Sequence, residues 1–278
     1  MKKRQIHPFP YPIEYSKTKG CTWIGHPEII NSLKQLLSDA KPLASHSLIL
    51  KDRPNLILET RLLREKNFPW PVQVLKKFKW RGIQPFFFNP LKRSKAMKSF
   101  SAACHLINHG LRTPVPLAAY EARRLGFIRQ NVFVTEKIPE HIVLRNFIKK
   151  NQVNPELIQE VLRSLAEFAI KMHDSGLWHR DMNLSNFLLT GSPGSYELFI
   201  IDLNRARIRD KLFIWHRALD LARLDLEEWQ KPFFEYYCKG RFDPAIMLKM
   251  ANSARTRRSL WRKVAVRTIP LREKLGLR

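Results

Sequence analysis

Residues 178–189 read WHRDMNLSNFLL, and FIIDLNRAR follows at residues 199–207. Between them, Phe187–Leu189 and Leu198–Ile201 read as two short strands joined by the turn TGSPGS. The order is therefore His-Arg-Asp, four residues, Asn, strand, turn, strand, Asp. Three oxygen-bearing side chains stand out in it: Asp181, Asn186 and Asp202. Phosphoryl transfer from ATP asks for an acceptor hydroxyl held in line, an acidic group to take its proton, and Mg2+ to draw charge off the phosphates. Asp181, at a passage from helix to loop, suits the proton acceptor. Asn186 offers an amide oxygen and Asp202 a carboxylate, the oxygen ligands that a hard cation prefers. Arg180 is placed to pair with a carboxylate and fix the loop.

The order and spacing resemble the catalytic and metal loops of the protein-kinase-like superfamily, HRDxxxxN followed by a DFG-type Asp. HRDMNLSNFLL and IDLNRARIRD are more closely similar to the lipopolysaccharide core kinases, the family of Kdo and heptose kinases. SKAMKSFSAACHLINHGLRTPVPLA (94–118) and RALDLARL (217–224) carry the same likeness. It runs in order from about residue 48 to 225. The resemblance implies an α+β, bilobal kinase-like fold, with a small antiparallel-sheet N-lobe and a mainly helical C-lobe. It also implies ATP and Mg2+ as cofactors and a sugar hydroxyl of the lipopolysaccharide inner core as acceptor. A protein or small-molecule kinase, a non-catalytic kinase-like scaffold and a basic nucleic-acid-binding module are the competing readings. No zinc-finger, RNP or helix-turn-helix pattern supports the last.

Outward from the loop, the expected organisation has three parts. Residues 1–44 read as an irregular arm rich in proline and aromatics (1–26) followed by a short helix from Pro27 to Leu37. Residues 45–138 form the N-lobe and 139–278 the C-lobe with a basic end. SLIL, NLILETRLL and PVQVLKKF alternate as strands between Ser47 and Phe78, and the apolar steps of residues 94–109 predict a helix. A strand pair ending in NVFVTEKI follows. Asn154 and Pro155 open a helix whose stripe is Leu157, Val161, Leu165, Phe168 and Met172. Helices are expected over much of 215–265.

The family's nucleotide-contacting lysine falls, by resemblance, on Lys76 of QVLK, with Lys77 the competitor. Val72, Val74 and Lys76 share a strand face. Several departures go with it. No GxGxxG precedes that strand, so phosphate cover falls to another turn, around Lys51 to Asn55. Ser99 stands where the lysine's helix Glu is expected, leaving Glu59, Glu65 or no partner. Asn204 replaces the DFG glycine, tolerable because asparagine accepts left-handed backbone. Asn183 stands where protein kinases carry a lysine, which favours a sugar or small-molecule acceptor.

Charge is the unusual bulk property. Fifty Lys and Arg against 24 Asp and Glu give +26, which attracts polyanions: anionic lipid, a phosphorylated substrate or nucleic acid. The acceptor expected from the family, an anionic lipopolysaccharide core precursor, fits it. So does peripheral contact with an anionic membrane, at the cytoplasmic side of the inner membrane. Residues 92–98 (KRSKAMK) and 249–278 concentrate the charge, the latter with ten Lys or Arg against one Glu. In that segment Leu260, Trp261, Val264 and Ile269 read either as membrane anchors or as packing residues. Arg205 and Arg207 could meet phosphates or an anionic acceptor. Arg217 and Asp220 read as a structural ion pair or loop support rather than catalytic groups. Trp23, Trp70, Trp80 and Trp215 read as core or interlobe residues rather than sugar platforms. No stretch is long and apolar enough for a transmembrane helix. Cys21, Cys104 and Cys238 are too scattered for a disulfide framework or zinc site.

Overall fold

The computed structural model describes residues 9–18, 20–38, 47–63, 68–79, 92–151 and 154–274, the last 13 of these by backbone alone. Two compact units divide the chain: residues 1–104 with 114–139, and residues 105–113 with 140–277.

The first unit is built on a seven-stranded antiparallel sheet. Its strands are β1 (Glu14–Thr18), β2 (Cys21–Gly25), β3 (Leu48–Lys51), β4 (Leu56–Thr60), β5 (Gln73–Lys77), β6 (Pro116–Arg124) and β7 (Phe127–Glu136), in the order β1-β2-β6-β7-β5-β4-β3. Here the expected irregular arm is corrected. β1 pairs antiparallel with β2, and β2 pairs with β6 from Cys21↔Ala122 to Gly25↔Ala118. Trp23 explains the extra strands: it is buried against Tyr120 of β6, with ring centroids 4.1 Å apart. That burial anchors an edge strand pair whose outer strand is otherwise polar. Helix α1 (Pro27–Ser38) adds Ile29, Ile30 and Leu33 to the same core, which also holds Leu58, Leu75, Val132 and Val134.

Helix α2 (Lys95–Asn108) covers a second cluster, with Ala96 and Phe100 against Phe78 and Ala119. Two side chains from paired sheet positions hold its start. Glu121 accepts from Ser94 N at 3.2 Å and Asn131 from Ala96 N at 3.2 Å. First-turn N–H groups lack intrahelical partners, so these contacts fasten the helix to the sheet.

The second unit is helical with short strand pairs. Its elements are β8 (Ile142–Val143), α3 (Leu144–Lys150), α4 (Pro155–Asp174), β9 (Leu177–Trp178), β10 (Phe187–Thr190), β11 (Glu197–Ile200), β12 (Arg207–Ile208), α5 (Ile214–Leu221), α6 (Gln230–Cys238) and α7 (Pro244–Lys274). Asn154 caps α4 by accepting from Leu157 N at 3.3 Å. Val161, Leu162, Leu165, Ala169 and Met172 of α4 are fully buried, each side chain contributing about 1.5–3 kcal/mol if large and apolar. Phe168 meets Phe187 of β10 edge to face at 5.8 Å, which joins the central helix to the strand after the WHRD loop. At the end of α4 the chain turns through Gly176, φ +85°. A Cβ there would lie 1.9 Å from the carbonyl oxygen of Arg209, so only glycine lets β12 approach β9.

Candidate active site

All three residues singled out from the sequence motif lie in the second unit, and backbone bonds join the segments that carry them. Ile201 N donates to Asn186 O at 2.9 Å, seating the residue before Asp202 against the end of the WHRD loop. His179 makes the other tie. Its Nδ1 accepts from Asp181 N at 3.2 Å, so its Nε2 carries the proton and donates to Ile201 O at 3.2 Å. Burial pushes the His179 imidazolium below its ordinary range, which agrees with this neutral, doubly engaged ring. Asn186 Nδ2 donates to Asp181 O at 2.8 Å, leaving the amide oxygen as its acceptor atom. Asn183 caps the turn instead of extending outward: it accepts from Ser185 N at 2.9 Å and donates to Asp181 O at 3.3 Å.

Two backbone positions here are strained. Arg180 has φ +65° and Asp202 has φ +62°, the left-handed region that side chains disfavour. The sequence placed the left-handed position at Asn204. That is corrected: Leu203–Arg205 form a turn of 3-10 helix, the unusual dihedral falls on Asp202, and Asn204 Nδ2 donates to the Asp202 carboxylate.

Asp220 supports the strained loop. Its fully buried carboxylate accepts from His179 N and Arg180 N, both at 2.7 Å. His173 Nε2 stands 3.6 Å away, beyond hydrogen-bond distance, while its Nδ1 meets the Tyr237 hydroxyl at 2.8 Å. Arg217 does not pair with Asp220; it pairs with Asp174 at 2.8 Å. Loop support is thus the role the geometry gives Asp220, and the ion pair belongs to Arg217 and Asp174. Arg180 differs from expectation as well. Its guanidinium lies over the Trp178 ring, 5.0 Å from the centroid, instead of in an ion pair.

Asp181 is held by two guanidiniums. Arg223 Nη1 donates to Oδ1 at 3.0 Å, and Arg205 Nη1 stands 3.3 Å from Oδ2. Arg205 is one of the arginines expected to meet phosphates or acceptor; Arg223 is not singled out by the sequence. It sits 42 residues after Asp181, and only its place in RALDLARL hinted at proximity.

Lys76 belongs to the first unit. Its ammonium lies 5.3 Å from the ring centroid of Phe78, on the sheet face that carries the α2 cluster, and alternation puts Lys77 on the other face. Glu59 is not its partner, since it pairs with Lys137 at 2.8 Å. Glu65 lies outside the described residues. Ser99 bonds Lys95 O within its own helix. The β3–β4 turn, suggested as phosphate cover, is tied down by Lys79, which reaches Asp52 Oδ1 at 2.5 Å and, through its backbone N, Asn55 Oδ1 at 3.3 Å. Trp23 is core, and Trp70 packs against the same core. Trp215, expected in a core or between lobes, is 46% exposed and stacks on His216. Trp80 lies outside the described residues.

An antiparallel-sheet unit followed by a helical unit bearing this loop is the protein-kinase-like fold. Among solved structures, WaaP in complex with acyl carrier protein has the same fold, with a TM-score of 0.59 at 20% identity over 84% of this chain and 98% of that one. Residues 76–235, more than half the chain, match the lipopolysaccharide kinase (Kdo/WaaP) family, and the chain belongs to it. The 3-deoxy-D-manno-octulosonic acid kinase of Vibrio cholerae is 23% identical over 124 residues, covering 45% of this chain and 49% of that protein. The lipopolysaccharide core heptose(I) kinase WaaP of Escherichia coli is 33% identical over 103 residues, covering 34% and 39%. This chain thus spans about half the length, or less, of these curated relatives.

Proposed function

We propose that this protein transfers the γ-phosphoryl group of ATP to a Kdo or heptose hydroxyl of the lipopolysaccharide inner core. Asp181 is the proton acceptor. The acceptor oxygen forms a bond to the γ-phosphorus as the bond to the bridging oxygen of ADP breaks, and the hydroxyl proton passes to the Asp181 carboxylate. The observation that carries this reading is the bonded frame around that carboxylate: Asp220 fixes the loop backbone, His179 ties it to the strand before Asp202, and Asn186 is locked to Asp181 O. Backbone strain at Arg180 and Asp202, held beside that carboxylate, favours a catalytic loop over a scaffold.

Asn186 and Asp202 fit Mg2+ by donor chemistry, an amide oxygen and a carboxylate. Among the described residues no cluster of three or more His, Cys, Asp or Glu exists, which suits a cation shared with nucleotide phosphates. Bound there, Mg2+ would supply charge neutralisation for the transferred phosphate. Lys76 is the nucleotide-contacting lysine in this account. Asn183, spent on the loop, supports a sugar acceptor over a protein one.

The enzyme works peripherally, at the cytoplasmic side of the inner membrane. Leu260 and Trp261 are 55% and 74% exposed in a basic helix, which favours the anchor reading over packing; Met247, Ala251 and Ala254 do the packing. No helix of the described residues is long and apolar enough to cross a membrane. The test is mass spectrometry of truncated core lipid incubated with the protein and ATP. A gain of one or more phosphates on a core sugar supports the reading. Phosphate appearing only on peptides or on the protein itself refutes it.

A further inference from the structure

The arginines around Asp181 outnumber what one carboxylate can neutralise. Arg223 and Arg205 touch Asp181 at 3.0 and 3.3 Å. Arg207 lies opposite Trp178 in the β9–β12 pair, and Arg180 and Arg209 lie over that same indole at 5.0 and 5.7 Å. Against these guanidiniums stand Asp181, Asp202, which takes the Asn204 amide, and the buried Asp220, which is already engaged by two backbone N–H groups. The mutual repulsion is felt at Arg180, whose guanidinium is pushed below its ordinary range first by burial and then by Arg207, Arg223 and Arg205.

Arg205 and Arg223 each commit one nitrogen to Asp181, and a guanidinium carries five N–H donors in a planar fork suited to carboxylate or phosphate. Arg223 is only 22% exposed and Arg205 58%, so one donor set is partly desolvated and the other open to an incoming ligand. Such a cluster is at its lowest energy with an anion present.

We propose that Arg205 and Arg223, with Arg180 and Arg207 beside them, form a subsite for an anionic substituent, a carboxylate or phosphate, on the acceptor sugar. The inference rests on the kinase reading and deepens it. A hydroxyl giving its proton to Asp181 lies within hydrogen-bond reach of its oxygens. An anion held by the free edges of the same guanidiniums then sits within about one sugar ring of that hydroxyl, roughly 5–7 Å. ATP is the other source of anionic oxygens, but its phosphates belong with Asn186 and Asp202. The subsite therefore selects the acceptor: a neutral sugar leaves the guanidiniums uncompensated.

The experiment compares two acceptors, a Kdo-terminated core lipid with its carboxylate free and the same lipid as its methyl ester, using the full chain as wild type, Arg223→Gln and Arg205→Gln. Wild type prefers the free acid. Losing one charge-assisted hydrogen bond lowers that preference in kcat/KM by about 10- to 100-fold in Arg223→Gln, while the KM for ATP stays within about twofold. Arg205→Gln shifts it the same way by less, and as a more exposed position it keeps the test open if the other variant fails to fold. Equal use of both acceptors by wild type, or an unchanged preference in the variants, overturns the subsite. So does a rise in the KM for ATP with no change for the acceptor, which would assign the arginines to nucleotide phosphate. If wild type transfers phosphate to neither lipid and to no heptose-terminated core lipid, the kinase reading itself falls.

Discussion

Replacing Asp220 with asparagine keeps the shape of the side chain and removes its charge. In the native fold the two carboxylate oxygens each take one backbone N–H, from His179 and Arg180, at 2.7 Å, with no solvent exposure. Asparagine has one acceptor oxygen, so its NH2 must face the second backbone donor. One charge-assisted hydrogen bond is lost, about 1.5–3 kcal/mol, and one buried N–H is left unsatisfied, about 1–3 kcal/mol. The combined destabilisation is about 2.5–6 kcal/mol, a large share of the 5–15 kcal/mol that domains typically possess. The loss falls beside Arg180, whose left-handed backbone stores about 1–3 kcal/mol. Released from Asp220, that residue relaxes and moves Asp181. A displacement of about 1 Å costs on the order of 100-fold in rate. Urea unfolding gives the stability change, and phosphate transfer to core lipid at saturating ATP gives kcat. An asparagine variant with an unchanged unfolding midpoint and a kcat within a few-fold of wild type would refute the claim that Asp220 supports the loop.

Three further outcomes are expected. Gly176→Ala drives a Cβ to 1.9 Å from Arg209 O at φ +85°, so thermal unfolding should show a loss of several kcal/mol, in the range of severe core lesions. His173 and His179 are both held neutral by burial, below the ordinary 6.5. The unfolded chain takes up protons through 6.5 that the folded chain refuses, so this stability is intact above that pH and drains as pH falls toward the depressed folded values. The slope is up to about 1.4 kcal/mol per pH unit for each histidine, measurable as urea midpoints from pH 7.5 to 5 and reduced in His179→Asn. Finally, Lys76→Ala should raise the KM for ATP by about tenfold or more while Lys77→Ala changes it little, the cost of one charge-assisted contact; equal effects would contradict the face assignment.

Much of this was legible because helices, strands and loop chemistry leave local marks. The α4 stripe, the Asn154 cap and the alternation in QVLKK each announce themselves within a single element. The N-terminal strand pair did not, because EYSKT is an edge strand with a polar outer face and its anchor, Trp23, finds Tyr120 almost a hundred residues later. At the candidate site, order and spacing pointed to the segments carrying Asp181, Asn186 and Asp202, which the fold joins by hydrogen bonds. Arg223 and the two backbone bonds of Asp220 were not, since both depend on where α5 meets the loop. Glu59 looked available as a partner for Lys76 until the fold set Lys137 beside it. The left-handed residue was misplaced by two positions because the glycine slot of the motif drew attention to Asn204, while the hydrogen bond from Asn204 stabilises Asp202 itself.

Asp181→Asn tests the account at its centre. Its amide cannot accept the hydroxyl proton as a carboxylate does, yet it keeps the size of the side chain and an oxygen for Arg223. With radiolabelled ATP and truncated core lipid, the variant should transfer phosphate at a rate at least about 100-fold below wild type, the contribution expected of a positioned general base, while its KM for ATP and its unfolding midpoint stay close to wild type. Transfer at the wild-type rate by a properly folded Asp181→Asn protein would contradict the assignment of that carboxylate as the proton acceptor.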